Sequence, residues 1–519
     1  MDGVARRADN RGTRVQFVAV SKVCGIETEY GIQHVGGDGN PVTSSSLLVN
    51  AYVSEIARVG WDFEDESPGN DARGFARDSA LAPEIETHLV NAVLTNGARY
   101  YVDHAHPEYS TPECATAAEL VIFDKAGEEI LRRSMTAAAR VLPPSQSIVV
   151  YKNNSDGKGN SYGTHENYLM DRAVPFARIA RQVMAHFVTR QIFCGAGKVG
   201  TETAKAPAGV AYQISQRAEF FEEQVGLETT LKRPIVNTRD EPHADPRRFR
   251  RLHVIVGDAN LAEVATFLKV GTTAFVLAMI EDDAFGADDL VPANPVSAIR
   301  QVAADPTLSA SVELSGGRRA TALSIQWELL ERARKYAETR GCEALGGEDA
   351  GNGVLARWES VLHGLETDPR SLAGQVDWVA KLQLLEAYAD RHGLAWDDRR
   401  MAAVDLQYHD LRPGRSLFGR LGTERLADPD AVERAVTEPP RSTRAYFRGR
   451  CLARWADAVT SANWDSLVFD LGTDPLRRIP MMDPLRGTAE HVEELLATCA
   501  SPAELVARLS GGEKEPTDG

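Results

Sequence analysis

The most informative stretch of the chain is Gly25-Ile26-Glu27-Thr28-Glu29-Tyr30-Gly31. Branched and aromatic residues between two glycines predict a β-strand. Side chains alternate across a strand, so we expect Glu27 and Glu29 on the same face. Two such carboxylates repel each other unless a cation lies between them, and Mg²⁺, which also holds nucleotide phosphates, commonly does so. For an isolated Glu-x-Glu a solvent-facing sheet edge is the commoner explanation, and what favours a site is the set of polar clusters downstream.

The first of these clusters lies on a second predicted strand, residues 99–103. Alternation puts Arg99, Tyr101 and Asp103 on one face of that strand. On one face, the arginine could bind a phosphate, the phenol could serve as a metal ligand and the carboxylate could act as a base or nucleophile. The His-x-His pair that follows resembles a transition-metal site, but the surrounding ligands are mostly oxygen, which disfavours zinc.

Two further segments supply polar groups that point to a ligand. A loop rich in Gly, Asn and Ser over 152–167 follows a predicted buried strand and ends in His165-Glu166-Asn167. Its spacing is not that of a phosphate-binding Walker loop, and a simple turn is the alternative. Arginines over 215–217 and 238–253 suit phosphate or carboxylate by bidentate pairing, although some belong to a solvated basic face. Serine-hydrolase and dinucleotide-binding glycine motifs are not evident.

Composition restricts the class of protein. The chain has 519 residues, 43% hydrophobic and 25% charged, as expected of a soluble globular enzyme with a sizeable core. Its net charge of −16 disfavours general nucleic-acid binding. Six scattered cysteines indicate reduced thiols in a cytoplasm. We expect no membrane segment, since no apolar run approaches the roughly 20 residues needed.

Local patterns predict helices over 44–58, 115–140, 176–193 and 260–282, and mostly helix from there to about 436. Strands are predicted within 17–34 and at 99–103, 147–152, 210–214 and 252–256. Glu438-Pro439-Pro440 marks a boundary. The predicted organisation is a disordered extension at 1–20, a catalytic domain at 21–436, a small C-terminal domain at 437–510 and a disordered tail at 511–519. An acidic, turn-rich insertion at 62–88 interrupts the large domain and is either functional or a plain surface insertion.

Several long motifs, in order, resemble the Dop/PafA family, whose members act on the small protein modifier Pup. The matching segments are Gly-Ile-Glu-Thr-Glu-Tyr-Gly at 25–31, Tyr-Val-Asp-His-Ala-His-Pro-Glu-Tyr-Ser at 101–110, Lys-Asn-Asn-Ser-Asp-Gly-Lys-Gly-Asn-Ser-Tyr-Gly-Thr-His-Glu-Asn-Tyr at 152–168, Asn-Thr-Arg-Asp-Glu-Pro-His-Ala-Asp at 237–245 and Arg-Arg-Leu-His-Val-Ile-Val-Gly-Asp-Ala-Asn at 250–260. The resemblance runs from about residue 22 to about residue 508.

The resemblance implies an α+β fold similar to glutamine synthetase and other carboxylate–amine ligases. Such a fold has a curved, mostly antiparallel sheet, helices on its outer face, an active site on its concave face and a small C-terminal domain. ATP and Mg²⁺ are the implied cofactors, with ATP as a cofactor rather than a consumed fuel. The implied partners are Pup and pupylated proteins, with a functional link to the bacterial proteasome, and neither nucleic acid nor membrane.

Within the family, the chain resembles the branch that deamidates Pup and removes it from proteins. The ligase branch has Val-Gly-Ser before His-Pro-Glu, whereas here His104-Ala105 precedes His106-Pro107-Glu108. The ligase branch also lacks an insertion like that at 62–88. The implied activity is hydrolysis at the γ-carbonyl of the C-terminal residue of Pup, with ammonia or lysine as the leaving group. The alternatives are a Pup–protein ligase and a non-catalytic Pup-binding adaptor.

By resemblance, Asp103 is the catalytic carboxylate, either as a nucleophile that forms an anhydride or as a base that activates water. A phosphate retained from ATP is a third candidate nucleophile, and the sequence does not choose among these. Arg99 or a nearby cation stabilises the developing oxyanion. The implied metal ligands are Glu27, Tyr101 and Glu108, with Glu29, His165 and His253 as further candidates. The implied ATP contacts are Arg99, Thr111, Arg217, Arg239 and Trp464. Core packing is the alternative role for Trp464 and for His253.

Overall fold

A computed structural model describes residues 19–37, 39–56, 59–64, 66–74, 90–205, 207 and 209–510. The predicted disordered tail at 511–519, most of the predicted extension at 1–20 and residues 75–88 of the predicted insertion lie outside the described residues. The last two residues of the extension are attached to the folded body. The backbone N–H of Ala19 donates to Asp282 Oδ1 at 2.7 Å, and that of Val20 to Glu281 Oε2 at 3.0 Å.

The described residues form eighteen strands and fourteen α-helices. The strands are β1 (Cys24–Glu29), β2 (Gly31–Val35), β3 (Gly60–Trp61), β4 (Asn91–Val93), β5 (Arg99–Asp103), β6 (His106–Ser110), β7 (Ser147–Tyr151), β8 (Thr164–Asp171), β9 (Lys198–Val199), β10 (Tyr212–Gln213), β11 (Phe221–Gly226), β12 (Arg233–Asn237), β13 (Phe249–Val254), β14 (Ser311–Glu313), β15 (Arg319–Thr321), β16 (Val459–Ala462), β17 (Ser466–Phe469) and β18 (Arg477–Pro480). The helices are α1 (Pro41–Ile56), α2 (Ala117–Val141), α3 (Phe176–Thr189), α4 (Gln191–Cys194), α5 (Glu263–Glu281), α6 (Pro295–Ala303), α7 (Ala322–Arg340), α8 (Glu348–Thr367), α9 (Asp377–His392), α10 (Arg399–Tyr408), α11 (Pro429–Ala435), α12 (Ala445–Trp455), α13 (Ala489–Thr498) and α14 (Pro502–Ser510).

Ten of these strands form one sheet in the order β13-β8-β1-β6-β5-β4-β3-β16-β17-β18. Neighbouring strands are antiparallel except β3 and β16, which run parallel. The short strands outside this sheet pair as β2–β7, β9–β10, β11–β12 and β14–β15. The predicted α+β class with a large, mostly antiparallel sheet is confirmed.

The two faces of the sheet differ in chemistry because side chains alternate along each strand. One face presents apolar residues such as Ile26, Tyr100, Tyr109, Tyr168 and Leu252 to the main hydrophobic core. Helices α1, α2 and α5 pack on that face. The other face carries mainly polar and charged residues, apart from a small apolar cluster that includes Leu169 and Phe249. The helices therefore lie on one side of the sheet, as expected, and the opposite side is available for a site.

Helix α5 corrects one expectation from composition. It is long and apolar enough to cross a membrane, the one such helix among the residues that the structure describes, yet 94% of its apolar window is buried inside the protein. Its apolar character reflects a place in the centre of the core, where α2, α3 and α8 contact it. The predicted helix over 260–282 is thus present, and its composition is explained by packing.

Other local predictions differ from the structure mainly at element ends. The predicted first strand is divided at Tyr30 into β1 and β2, which belong to different sheets. The strand predicted at 210–214 is reduced to the two residues of β10. The C-terminal segment has its own hydrophobic cluster, to which Trp61 and Val93 of the preceding region also contribute. Its strands continue the main sheet through β3.

A buried ion pair beneath the sheet gives a stability prediction. Arg190 NH2 lies 2.6 Å from Glu166 Oε1, with both side chains at most 1% exposed. Replacing Arg190 by methionine leaves the Glu166 carboxylate buried without its cation, so we expect unfolding to become about 3–5 kcal/mol easier. Denaturant unfolding checks this. The control is Arg181→Met on α3, which removes a largely exposed ion pair with Asp288. It should change stability by less than about 1 kcal/mol.

Candidate active site

The register of the central strands brings the predicted carboxylates together. Glu27 on β1 lies opposite Ser110 of β6 on one side and His165 of β8 on the other. Glu29 lies opposite Glu108. Because the pairing is antiparallel and the residues alternate, all five side chains share the polar face of the sheet.

Strand β5 extends this polar face on the other side of β6. Tyr101 lies opposite Glu108, and Asp103 lies opposite His106 at the turn between the two strands. The face encloses a cavity of about 510 Å³. Most of the predicted site residues line it, namely Glu27, Arg99, Tyr101, Asp103, Glu108, His165, Arg239, His253 and Trp464.

One group of potential metal ligands lies on β1, β8 and β13. Ligand atoms of Glu27, His165 and His253 all lie within 4.8 Å of one another. Burial raises the pKa of Glu27, but the neighbouring His165, His253 and Arg251 outweigh it and hold that pKa well below its usual range. Nε2 of His253 is buried and has no hydrogen-bond partner among the described residues. A buried imidazole nitrogen without a hydrogen-bond partner, next to a carboxylate, offers ligand atoms of the kind that bind divalent metal ions.

A second group consists of three carboxylates. Oxygens of Glu29, Asp103 and Glu108 lie within 4.8 Å of one another. Burial and the charges of Asp103, Glu29 and Glu27 raise the pKa of Glu108 well above its usual value. A bound cation would remove that repulsion, and oxygen-only ligands are those that Mg²⁺ prefers. Both groups therefore fit divalent cations, the second more specifically a hard one.

The position of Glu29 is fixed by a glycine and a histidine. Oε1 accepts a hydrogen bond from the backbone N–H of Gly163 at 2.7 Å, and Oε2 lies 3.4 Å from His106 Nδ1. Burial opposes ionisation, but these two groups lower the pKa of Glu29 to about 2. A Cβ on Gly163 would lie 2.2 Å from His165 Nε2, so a side chain at residue 163 would displace the site histidine.

Asp103 is the most solvent-accessible of the three carboxylates in its group. Its side chain is 41% exposed, against 13% for Glu29, and lies at the rim of the cavity. Oδ2 is 3.0 Å from Nδ1 of His104, whose φ of 51° is unusual for a residue other than glycine. A carboxylate at the rim is accessible to a large substrate, unlike the carboxylates behind it.

The described beginning of the predicted insertion contributes to the same cavity. Phe63, Glu66 and Pro68 line it. The Arg99 guanidinium lies 4.0 Å from the ring centroid of Trp61 and 4.0 Å from that of Tyr101. Glu66 Oε1 accepts from Trp61 Nε1 at 2.6 Å and lies 3.7 Å from Arg99 NH1. The segment thus holds Arg99 over the sheet.

Two residues on the polar face, Asn167 and Arg251, were not among the predicted site residues, although both lie in the polar segments noted in the sequence. Asn167 Nδ2 donates to Glu27 Oε1 at 2.6 Å, and Arg251 NH1 donates to Asn167 Oδ1 at 2.7 Å. Strand alternation could have identified them, because Asn167 and Arg251 lie two residues from His165 and His253 and therefore share their face. They orient Glu27 from β8 and β13, on the same face of the sheet.

The predicted nucleotide contacts other than Arg99 are divided between the main cavity, a second cavity and the protein interior. Thr111 borders a smaller, mostly apolar cavity of about 80 Å³, and its Oγ1 accepts from the backbone N–H of Ile26 at 3.0 Å. Trp464 lines both cavities. Arg217 is buried among backbone carbonyls and Ser161, and burial lowers its pKa to about 10. Arg239 reaches the main cavity, and its Nε is buried without a partner among the described residues.

Comparison with known proteins identifies relatives along nearly the whole chain. The family model described as Pup-ligase protein matches residues 22–468. A protein named depupylase from Acidothermus cellulolyticus is 53% identical over 508 residues, which cover 95% of this chain and 99% of the relative. The Pup deamidase/depupylase of Mycolicibacterium smegmatis is 46% identical over 508 residues, which cover 95% of this chain and 100% of the relative. A Pup–protein ligase from Acidimicrobium ferrooxidans is 43% identical over 417 residues, covering 79% and 90%.

Two solved structures share the fold. The complex of Pup with its ligase PafA has a TM-score of 0.77 at 34% identity and covers 96% of each chain. PafA in complex with ADP has a TM-score of 0.71 at 38% identity and covers 78% of this chain and 89% of that one.

Proposed function

The chain belongs to the Pup-ligase protein family, and we propose that within this family it is an ATP-dependent amidohydrolase acting on Pup. It converts the C-terminal glutamine of Pup to glutamate and cleaves the isopeptide bond between Pup and a lysine of a pupylated protein. The observation that carries this choice is the match to relatives named for deamidation and depupylation, at 46–53% identity over 95% of the chain. The match to the ligase relative covers 79% of this chain.

Both reactions attack the same γ-carbonyl, so one carboxylate serves both. Asp103 lies at the rim of the cavity, where an extended chain terminus can reach it, and acts as the nucleophile or as the base that activates water. Arg99, held between Trp61 and Tyr101, is the cation available to stabilise charge on the carbonyl oxygen. The leaving group differs between the reactions, ammonia in one and a lysine amine in the other.

Mg²⁺ and ATP are the cofactors that we propose for the cavity. The two ligand groups, Glu27 with His165 and His253, and Glu29 with Glu108, would hold divalent cations, and Tyr101 lies beside Glu108. Bound Mg²⁺ would neutralise phosphate charge and polarise oxygens. Arg239 lines the cavity and supplies positive charge for the phosphates, whereas Arg217 is buried outside the cavity lining and donates to backbone carbonyls. Trp464 and Thr111 border the small apolar cavity, which suits a planar base.

The ligand role of Glu27 is tested by Glu27→Ala, which removes a hard oxygen donor. We expect weaker binding of Mg-ATP and a loss of activity that high Mg²⁺ partly restores. Titration calorimetry with the Mg²⁺ complex of a non-hydrolysable ATP analogue measures the affinity. Glu55→Ala, at an exposed helix position, is the control. Unchanged nucleotide affinity and Mg²⁺ dependence in Glu27→Ala would assign Glu27 to the scaffold.

The proposed activity is tested by incubating the protein with glutamine-ended Pup, ATP and Mg²⁺ and measuring ammonia. Release of ammonia, dependent on nucleotide, is the expected result, followed by release of Pup from a pupylated protein. Attachment of glutamate-ended Pup to a protein with release of ADP would instead identify a ligase. Tight binding of Pup without any turnover would identify an adaptor.

The reaction takes place in the cytoplasm, alongside the bacterial proteasome to which pupylation is linked. All six cysteines are free and buried, which fits a reducing compartment. Neither nucleic acid nor a membrane is a proposed partner.

A further inference from the structure

Arg448 on α12 joins three separated parts of the chain around one guanidinium. NH2 donates to the backbone oxygen of Gly97 at 2.8 Å, in the turn between β4 and β5. NH1 and NH2 donate to the carboxylate of Glu113, just after β6. NH1 also donates to the backbone oxygen of Trp464 at 2.9 Å, in the turn between β16 and β17. The side chain of Arg448 is fully buried.

The same guanidinium also faces the ring of Trp464. Its carbon lies 5.1 Å from the ring centroid, within the range of a cation–π contact. On another side, the ring of Trp464 meets that of Trp61 edge to face at 5.2 Å. Arg448 therefore fixes both the backbone and the indole of a residue that lines two cavities, although Arg448 itself lines neither.

The carboxylate that holds Arg448 is itself fixed. Glu113 Oε1 accepts from Arg444 Nε at 2.7 Å, and the backbone oxygen of Glu113 accepts from Thr443 Oγ1 at 2.7 Å. Burial opposes ionisation, but the charges of Arg448 and Arg444 lower the pKa of Glu113 to about 2. The carboxylate is therefore charged at neutral pH. A permanently charged, multiply bonded pair is a rigid support for what it contacts.

We propose that Arg448, held by Glu113, is a positioning residue for the nucleotide and acts through Trp464. By fixing the indole at the wall shared by the two cavities, it forms in advance the surface on which the planar base rests. It also ties that surface to Gly97, two residues before Arg99. This inference rests on the proposed use of ATP. It makes the affinity for the nucleotide depend on a residue that lines neither cavity.

The test compares Arg448→Lys with Arg454→Lys on the same helix. Lysine keeps the charge of Arg448 but lacks the fork that reaches Gly97, Glu113 and Trp464 together. Arg454 is a matched control, since it also donates to two backbone carbonyls, those of Leu496 and Cys499, and stacks on a tryptophan, Trp455, at 4.7 Å. We expect Arg448→Lys to weaken ATP binding about tenfold and Arg454→Lys to leave it unchanged.

Two further readouts separate positioning from a merely structural role. The kcat of Arg448→Lys at saturating ATP and its affinity for Pup should stay close to wild type. In a Trp464→Ala background, Arg448→Lys should cause little further loss of nucleotide affinity, because its effect passes through the indole. Equal losses in both backgrounds, or wild-type ATP affinity in a folded Arg448→Lys protein, would overturn the proposal.

Glu113→Asp provides a second variant in case Arg448→Lys does not fold. It keeps both charges and withdraws the carboxylate by one methylene, so nucleotide affinity should fall in the same direction, by less. Unchanged affinity in folded Glu113→Asp would also overturn the proposal. Nucleotide binding is measured without Pup, so a wild-type protein that binds ATP but releases no ammonia would contradict the proposed hydrolase activity alone.

Discussion

Asp103→Asn is expected to bind Mg-ATP and Pup normally and to lose deamidation and depupylation together, by about 10³-fold or more. The amide keeps the shape of the side chain, so the rim of the cavity and the contact with His104 are retained. It neither attacks a carbonyl nor accepts a proton at neutral pH. Because both reactions pass through the same carbonyl, both rates should fall by the same factor.

The measurements are ammonia release from glutamine-ended Pup and cleavage of a pupylated protein, with binding of Pup followed in parallel. Asp289→Asn, an exposed carboxylate 3.0 Å from Arg332, is the control and should retain wild-type rates. If Asp103→Asn turned over at a near-normal rate, the catalytic assignment would be wrong. A loss confined to one of the two reactions would contradict a shared carboxylate.

Glu108→Gln is expected to have opposite effects on stability and on activity. Glu108 is buried next to Asp103, Glu29 and Glu27, and their charges, added to burial, raise its pKa well above its usual value. Glutamine removes that repulsion, so the metal-free protein should become more stable by about 1–3 kcal/mol, the order of the desolvation penalty of a buried polar group. Activity should fall to near background, because a hard oxygen ligand is lost.

The sign of the pH dependence follows from the raised pKa. A carboxyl whose pKa is higher in the folded than in the unfolded state stabilises the fold fully only below its ordinary value of 4.5. That stabilisation is lost as the pH rises through the higher, folded-state value. Thermal unfolding in a chelating buffer should therefore show wild-type stability declining with rising pH and Glu108→Gln declining less.

Added Mg²⁺ should stabilise the wild type and have little effect on Glu108→Gln. Glu55→Gln, on an exposed helix position, should follow the wild type in every measurement. Equal Mg²⁺ stabilisation of Glu108→Gln and wild type would remove Glu108 from the metal ligands.

Alternation along single strands was enough to predict much of the candidate site. It placed Glu27 with Glu29, and Arg99 with Tyr101 and Asp103, and the structure directs most of these side chains into one cavity. The rule works here because β1 and β5 are central strands with one face buried against helices, which leaves no freedom of register. The fold class followed from the family resemblance rather than from the strand pattern.

Contacts between distant segments were beyond sequence reasoning. Glu66 lies in an acidic, turn-rich stretch, and nothing in the local sequence distinguishes it from the acidic residues around it. In the structure it pairs with Arg99. Arg448 is one arginine of several on a short amphipathic helix. Arg251 likewise occurs within a run of arginines, and only the register of β13 against β8, which pairs His253 with Asn167, brings Arg251 within hydrogen-bond distance of Asn167. Such roles depend on which strands become neighbours, and periodicity carries no information about that.

The parallel contact between β3 and β16 has a consequence for biosynthesis. It pairs Gly60 with Ser461 and Trp61 with Ala462, residues about 400 positions apart. At about 5–20 residues per second, a ribosome needs roughly 20–80 s to travel between them. During that time the edge formed by β3 and β4 has no neighbour on its outer side, and Trp61 lacks most of the apolar cluster that later covers it. The nascent chain therefore leaves this sheet edge unpaired until translation is almost finished, and an unpaired edge is a template for aggregation.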